Sequence, residues 1–133
     1  MYELAVKYKI PHLQILSRDT LSNLSVGNYI INLNKSDESG SHWVALIKDA
    51  DTTWYYDPLG NPALPEIQER PLVYSLDQIQ NESSVLCGIY ALDFLRFFSN
   101  NQITFDGFQH YLNQFSFDTL TNDANLRFKY CIK

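Results

Sequence analysis

With 133 residues, 45% of them hydrophobic and including 8 Phe, 9 Tyr and 2 Trp, the chain holds enough apolar material for one packed core and lacks the composition of a disordered segment. Ten Lys and Arg against 15 Asp and Glu leave a formal charge of -5, and no basic run interrupts that balance, which argues against nucleic acid as a main partner. Glu3, Lys7 and Lys9 break the apolar region that a secretory leader needs, and no long uncharged apolar stretch occurs later, so a single soluble domain over residues 1–133, intracellular and without a membrane partner, is expected.

Residues 1–26 are mixed in character, with Pro11 ending a first stretch and Asp19 placed to cap a short helix over residues 20–24. Residues 28–34 are rich in β-branched and aromatic side chains and predict a strand, and the polar cluster 35–41 predicts a loop. The run 42–48 is apolar almost throughout, as a central strand buried on both faces must be, and residues 49–52 close it with turn chemistry. Residues 53–57 predict a third strand that pairs with it as a hairpin and stops at Pro58, after which Gly60 and Pro62 turn the chain away.

Residues 72–76 predict a fourth strand, and the polar stretch 77–84 is expected to return the chain to the surface. From residue 85 to 98 the period changes: Cys87, Tyr90, Ala91, Phe94, Leu95 and Phe98 recur at helical spacing, and Ile89, Leu92 and Phe97 widen the apolar stripe nearly all round, as in a buried central helix. Ser83 and Ser84 are its candidate caps, and Asn100 and Asn101 end it. Two further short helices are expected over residues 104–115 and 122–130. These elements sum to an α+β fold: a mixed or antiparallel sheet of four to five strands packed on the helix that begins near Cys87, with more helices at both ends.

Cys87 and Cys131 are the only cysteines, too few for a disulfide framework and without the C-x-x-C spacing that binds zinc. Each is either a small buried hydrophobe or a thiol used for its reactivity. Cys87 falls in the first turn of the predicted helix, where the positive end of the helix dipole favours a thiolate, and Gly88 behind it leaves room for a substrate carbonyl to approach. A thiolate nucleophile needs a base that can also protonate a leaving amine, and His is suited to both near neutral pH. Of His12, His42 and His110, His42 sits where a loop containing Gly40 enters the central strand, a rim position fit for a cleft. Asp57 closes the adjacent strand and can accept from the other ring nitrogen of that His. A tetrahedral oxyanion needs a donor besides the amide at the helix start, and Gln80 or Gln78 can supply a side-chain amide.

The segments Gly40-Ser41-His42-Trp43, Tyr55-Tyr56-Asp57-Pro58-Leu59-Gly60, Gln80 and Leu86-Cys87-Gly88-Ile89-Tyr90 together resemble the adenain-like and Ulp1-like cysteine protease superfamily, whose order is His, Asp or Glu, Gln, Cys. Papain shares the geometry of such a site in the opposite chain order, so the resemblance implies a papain-like core in permuted order. It also implies that His42 is the base, Asp57 its orienting acid, Gln80 rather than Gln78 the oxyanion donor and Cys87 the nucleophile. Gly40, Trp43 and Gly88 are then substrate-binding positions, Trp43 matching an aromatic that packs near the family's active site. The short polar spacer between Gln80 and Cys87 looks closest to small viral maturation proteases of adenovirus, virophage or Polinton type, although Asp57 stands where adenovirus enzymes have Glu.

The activity implied by that resemblance is a cysteine endopeptidase that cleaves capsid or core precursors after small residues, often Gly, through an acyl-enzyme, in the host cytoplasm or viral factory or packaged in the virion. Deconjugation of ubiquitin-like modifiers by the same residues is the alternative, and acetyl transfer on the same fold a more distant one. The expected partner is a protein substrate met by a monomer. Relatives can be stimulated by DNA and by a disulfide-linked peptide; with a net charge of -5 and Cys131 beyond the matched core, no cofactor and no metal is carried over, while an activating peptide stays open as a partner.

Overall fold

The computed structural model describes residues 7, 9–21, 23–34 and 42–132. Five strands form one mixed sheet in sequence order: β1 (Leu13–Ser17), β2 (Gly27–Asn32), β3 (Trp43–Lys48), β4 (Thr53–Tyr56) and β5 (Leu72–Tyr74). β2, β3 and β4 run antiparallel, and the two outer strands each lie parallel to their neighbour. Helices α1 (Cys87–Phe97), α2 (Phe105–Asn113) and α3 (Thr119–Lys129) follow in a block, so the chain is α+β.

The side-chain alternation of the three central strands sorts them between two cores. Ile30, Ala45, Ile47, Trp54 and Tyr56 face one side and pack with Tyr90, Ala91, Phe94 and Leu95 of α1 and with Phe108, Tyr111 and Leu126 of α2 and α3. Tyr29, Ile31, Val44, Leu46 and Tyr55 face the other, where Leu24, Leu64 and Ile67 cover them. Those covering residues belong to the two stretches that connect the parallel pairs, 18–26 and 57–71, so the connections needed for parallel pairing also close the second core. Burial on both faces is why β3 reads as a continuous apolar run. Tyr56 stacks on Phe94 at 4.7 Å and meets Tyr111 edge-on at 5.6 Å, which locks the end of β4 onto α1 and α2.

Several expectations need correction. The helix expected over residues 20–24 is a single 3-10 turn, Arg18–Thr20, in which the Thr20 hydroxyl donates to the Ser17 carbonyl. Beyond the turn, Leu21 and Leu24 pack on the sheet. β1 precedes that turn in a segment with no strand signal of its own; its ladder comes from β2. α1 is preceded by Leu86 at the cap position with no side-chain cap, because the Ser84 hydroxyl lies two residues too early and turns instead to Gln80. The stretch 77–84 is not wholly at the surface, since Ile79 and Gln80 are buried. The predicted loop 35–41, and with it Gly40, lies outside the described residues.

Candidate active site

Antiparallel pairing brings the start of β3 and the end of β4 to the same end of the sheet, with Ala45 opposite Tyr56. His42 stands just before β3 and Asp57 just after β4. His42 Nε2 lies 2.8 Å from Asp57 Oδ1, and the same oxygen accepts the Leu59 amide at 2.8 Å. The Asp57 side chain is wholly buried, whereas the His42 ring keeps 15% of its surface open to solvent. The acid is therefore sequestered and the imidazole reachable.

Below it, the Asp57 turn is fixed by a Gly60 amide bond to the Asp57 carbonyl and by Gly60 itself, at φ 79°. A Cβ there would meet Leu76 O at 2.7 Å, so the turn and the 76–77 backbone can approach only through a glycine.

α1 delivers Cys87 to this end of the sheet, where the His42 ring and the backbone amides of Trp43 and Gly88 are near enough to favour its thiolate form. With Nε2 committed to Asp57, Nδ1 is the ring nitrogen left for the thiol. No acidic residue sits in the first turn of α1, so the positive end of the helix is not neutralised locally. Burial alone would raise the Cys87 pKa and is the largest single influence, but the His42 bond and charge with the two amides outweigh it and the pKa is lowered from its ordinary value. Burial likewise works to lower the His42 pKa; the bonds and charges of Asp57 and Cys87 overcome it and raise the value to about 9. Both shifts act in the same sense, favouring a thiolate facing an imidazolium over the neutral pair.

Gln80 lies on the loop that leads into α1. Its N–H and that of Ile79 both donate to the Pro58 carbonyl at 2.9 Å, which ties this loop to the Asp57 turn. Its side-chain Nε2 lies 3.0 Å from both Ser84 O and Ser84 Oγ, which places the amide at the mouth of α1. Both amide protons are thus engaged by Ser84, and Oε1 is buried with no partner among the described residues. Donation to an oxyanion requires exchange of one of these bonds. The Ser84 hydroxyl is the one that can give way, since it also accepts the Leu86 amide at 3.4 Å. Gln78 is exposed and spends its amide on the Gln80 carbonyl.

The structure brings His42, Trp43, Asp57, Gln80, Cys87 and Gly88 to one end of the sheet, with Trp43 half-buried against the helical core. His12 and His110 are exposed, as is Cys131 past the end of α3. Among the described residues, no group of three or more His, Cys, Asp or Glu is placed to hold a metal ion, and no helix is long and apolar enough to cross a membrane. Sequence reasoning missed the polar residues of α3 that anchor the Gln80 loop, Thr119, Asn122 and Asp123. Their signal is that residues 119, 122, 123, 126 and 130 share one helical face, so a helix docked through Leu126 and Tyr130 also turns these polar groups inward.

No family model matches the chain, and no curated protein matches it. Among solved structures it is similar to the crystal structure of the ASFV pS273R protease, at 14% identity and a TM-score of 0.44, over 75% of this chain and 55% of that one. The chain spans about half the length of that neighbour.

Proposed function

We propose that the chain is a cysteine endopeptidase in which Cys87 attacks, His42 transfers protons, Asp57 holds His42 and Gln80 with the Cys87 amide receives the oxyanion. The observation that carries this reading is the partly open His42 ring held at 2.8 Å by a buried carboxylate, with the thiol of Cys87 at an uncapped helix start near enough for each to shift the other's titration.

The Cys87 thiolate adds to a peptide carbonyl carbon, and the oxygen becomes an anion. It is received by the Cys87 amide at the start of α1 and by the Gln80 amide once Ser84 Oγ releases it. The His42 imidazolium gives its proton to the leaving amine, and a thioester remains. His42, now neutral, takes a proton from water as it attacks the thioester, and the carboxylic acid and thiolate separate. Asp57 keeps the ring oriented throughout and stabilises its charged form.

The permuted papain-like order and the finer substrate assignment belong to the same proposal: a viral capsid or core precursor, cut after small residues such as glycine, in the infected cell or within the particle. Its support is the likeness of the four sequence motifs to adenovirus-type enzymes. Cys87→Ala is expected to abolish cleavage of a co-expressed capsid precursor, and mass spectrometry after brief iodoacetamide treatment at neutral pH is expected to find Cys87 modified ahead of Cys131. Cleavage that persists in the Cys87→Ala chain overturns the assignment.

A further inference from the structure

The loop that carries Gln80 is fastened on both sides by α3, some forty residues later in the chain. Before Gln80, the Ile79 carbonyl accepts Asn122 Nδ2 at 3.0 Å. After it, the Asn81 amide donates to Asp123 Oδ1 at 3.4 Å, and Asn81 Nδ2 donates to Thr119 Oγ1 at 3.0 Å. Asn122 is itself fixed, because its amide also donates to the Ser116 carbonyl at 2.8 Å and accepts the Ser116 N–H at 2.8 Å. Asp123 Oδ1 accepts the Tyr90 hydroxyl at 2.7 Å as well, and Tyr90 lies in α1 three residues beyond Cys87. Both α3 residues are buried, at 2% and 7% exposure, so these bonds form away from competing water.

We infer that Asn122 and Asp123 are positioning residues that set the Gln80 amide relative to the start of α1, and so fix the oxyanion pocket from a helix that contributes no reacting group. The inference rests on the protease proposal above. Docking of α3 does not itself require these two residues, because its far end is held by Leu126 in the core and by Tyr130, whose hydroxyl bonds buried Asp93 at 2.5 Å. What Asn122 and Asp123 add is a bracket around Gln80. Of the two, Asp123 is the one that bonds both elements whose relative position matters, the loop through Asn81 and the nucleophile's helix through Tyr90. A misplacement of about 1 Å at such a pocket can cost about a hundredfold in rate.

Two reactions of Cys87 in the full chain separate this role from a general one. With iodoacetamide the thiolate displaces iodide at carbon, a C–S bond forms, and no oxyanion develops. With N-acetylglycine p-nitrophenyl ester the thiolate adds to the carbonyl, the oxyanion collapses, p-nitrophenolate leaves, and water hydrolyses the thioester. Asn122→Ala and Asp123→Ala are expected to lower kcat for the ester by about ten- to a hundredfold with little change in KM, while alkylation stays within about threefold. Asp123→Asn keeps an acceptor for Asn81 and Tyr90 and is expected to restore the ester rate to within about threefold of the parent. If either alanine variant fails to fold, Thr119→Val, which removes only the Asn81 side-chain bond, is expected to show the same selective loss on a smaller scale. Ester rates unchanged in these variants, or lost in parallel with alkylation, overturn the inference while the protease proposal stands. A parent chain whose Cys87 reacts with neither reagent faster than Cys131 overturns both.

Discussion

His42 and Asp57 are held by a sheet ladder, whereas Gln80 is held by side chains that reach it from a distant helix. The first pair flanks two adjacent antiparallel strands whose register is set by the alternation of apolar residues between two cores. Moving His42 away from Asp57 would require β3 to slip, which would turn Val44 and Leu46 from one core to the other. Gln80 sits in a loop without a ladder, fixed by two bonds to Pro58 O and by the bracket from α3. The contrast teaches that the proton-transfer half of the site is as rigid as the fold, and the oxyanion half only as rigid as a handful of buried polar contacts.

The largest expected effect lies on the rigid half. His42→Ala removes the proton carrier and the cation that lowers the Cys87 pKa, so peptide cleavage should fall by about a thousandfold or more and iodoacetamide alkylation at neutral pH should fall with it. Gln80→Ala should cost about 10²- to 10³-fold in acyl transfer yet leave alkylation near the parent rate, because alkylation makes no oxyanion. Measured side by side, the two variants define the halves chemically. Equal losses of alkylation in both would break the division.

Asp57→Asn has a smaller effect at neutral pH and a clear signature elsewhere. The carboxylate favours the charged imidazolium, so its removal must lower the His42 pKa from about 9. The alkaline limb of the pH–rate profile, set by loss of the imidazolium proton, should therefore move down by about one pH unit or more. A limb that stays in place would mean that Asp57 orients the ring without acting on its charge.

This division also decides what could be read from sequence. His42 and Asp57 stand at the boundaries of apolar runs, and a central strand and the Asp57-Pro58 stop are local patterns visible in residues 42–58. α1 was legible for the same reason, its stripe running from Cys87 through Tyr90, Phe94 and Leu95. The burial of Gln80 was not, because residues 77–84 are polar and nothing local distinguishes a loop pinned by a helix forty residues away from one in solvent. Asn122 and Asp123 were hidden likewise: polar residues on a helix read as surface unless its docking face is known. β1 escaped because its pairing partner, not its own composition, makes it a strand.

A last pair of contacts isolates burial as the variable. Arg18 donates to Glu66 through two nitrogens across 48 residues, a separation close to the 42 between Asn81 and Asp123, so the chain entropy of closing the two loops is nearly equal. The side chains of Arg18 and Glu66 are about one third exposed, at 34% and 35%, whereas Asp123 is 7% exposed. Water and salt screen the exposed pair and compete for its donors, and an exposed pair of this kind contributes about 0 to 1 kcal/mol. Glu66→Gln should therefore move the urea midpoint by an amount equivalent to less than about 1 kcal/mol and leave both Cys87 reactions unchanged. A loss of ester reactivity in Glu66→Gln comparable with that of Asp123→Ala would show that any long-range tie steadies the oxyanion half. Burial beside the loop would then not be what singles out α3.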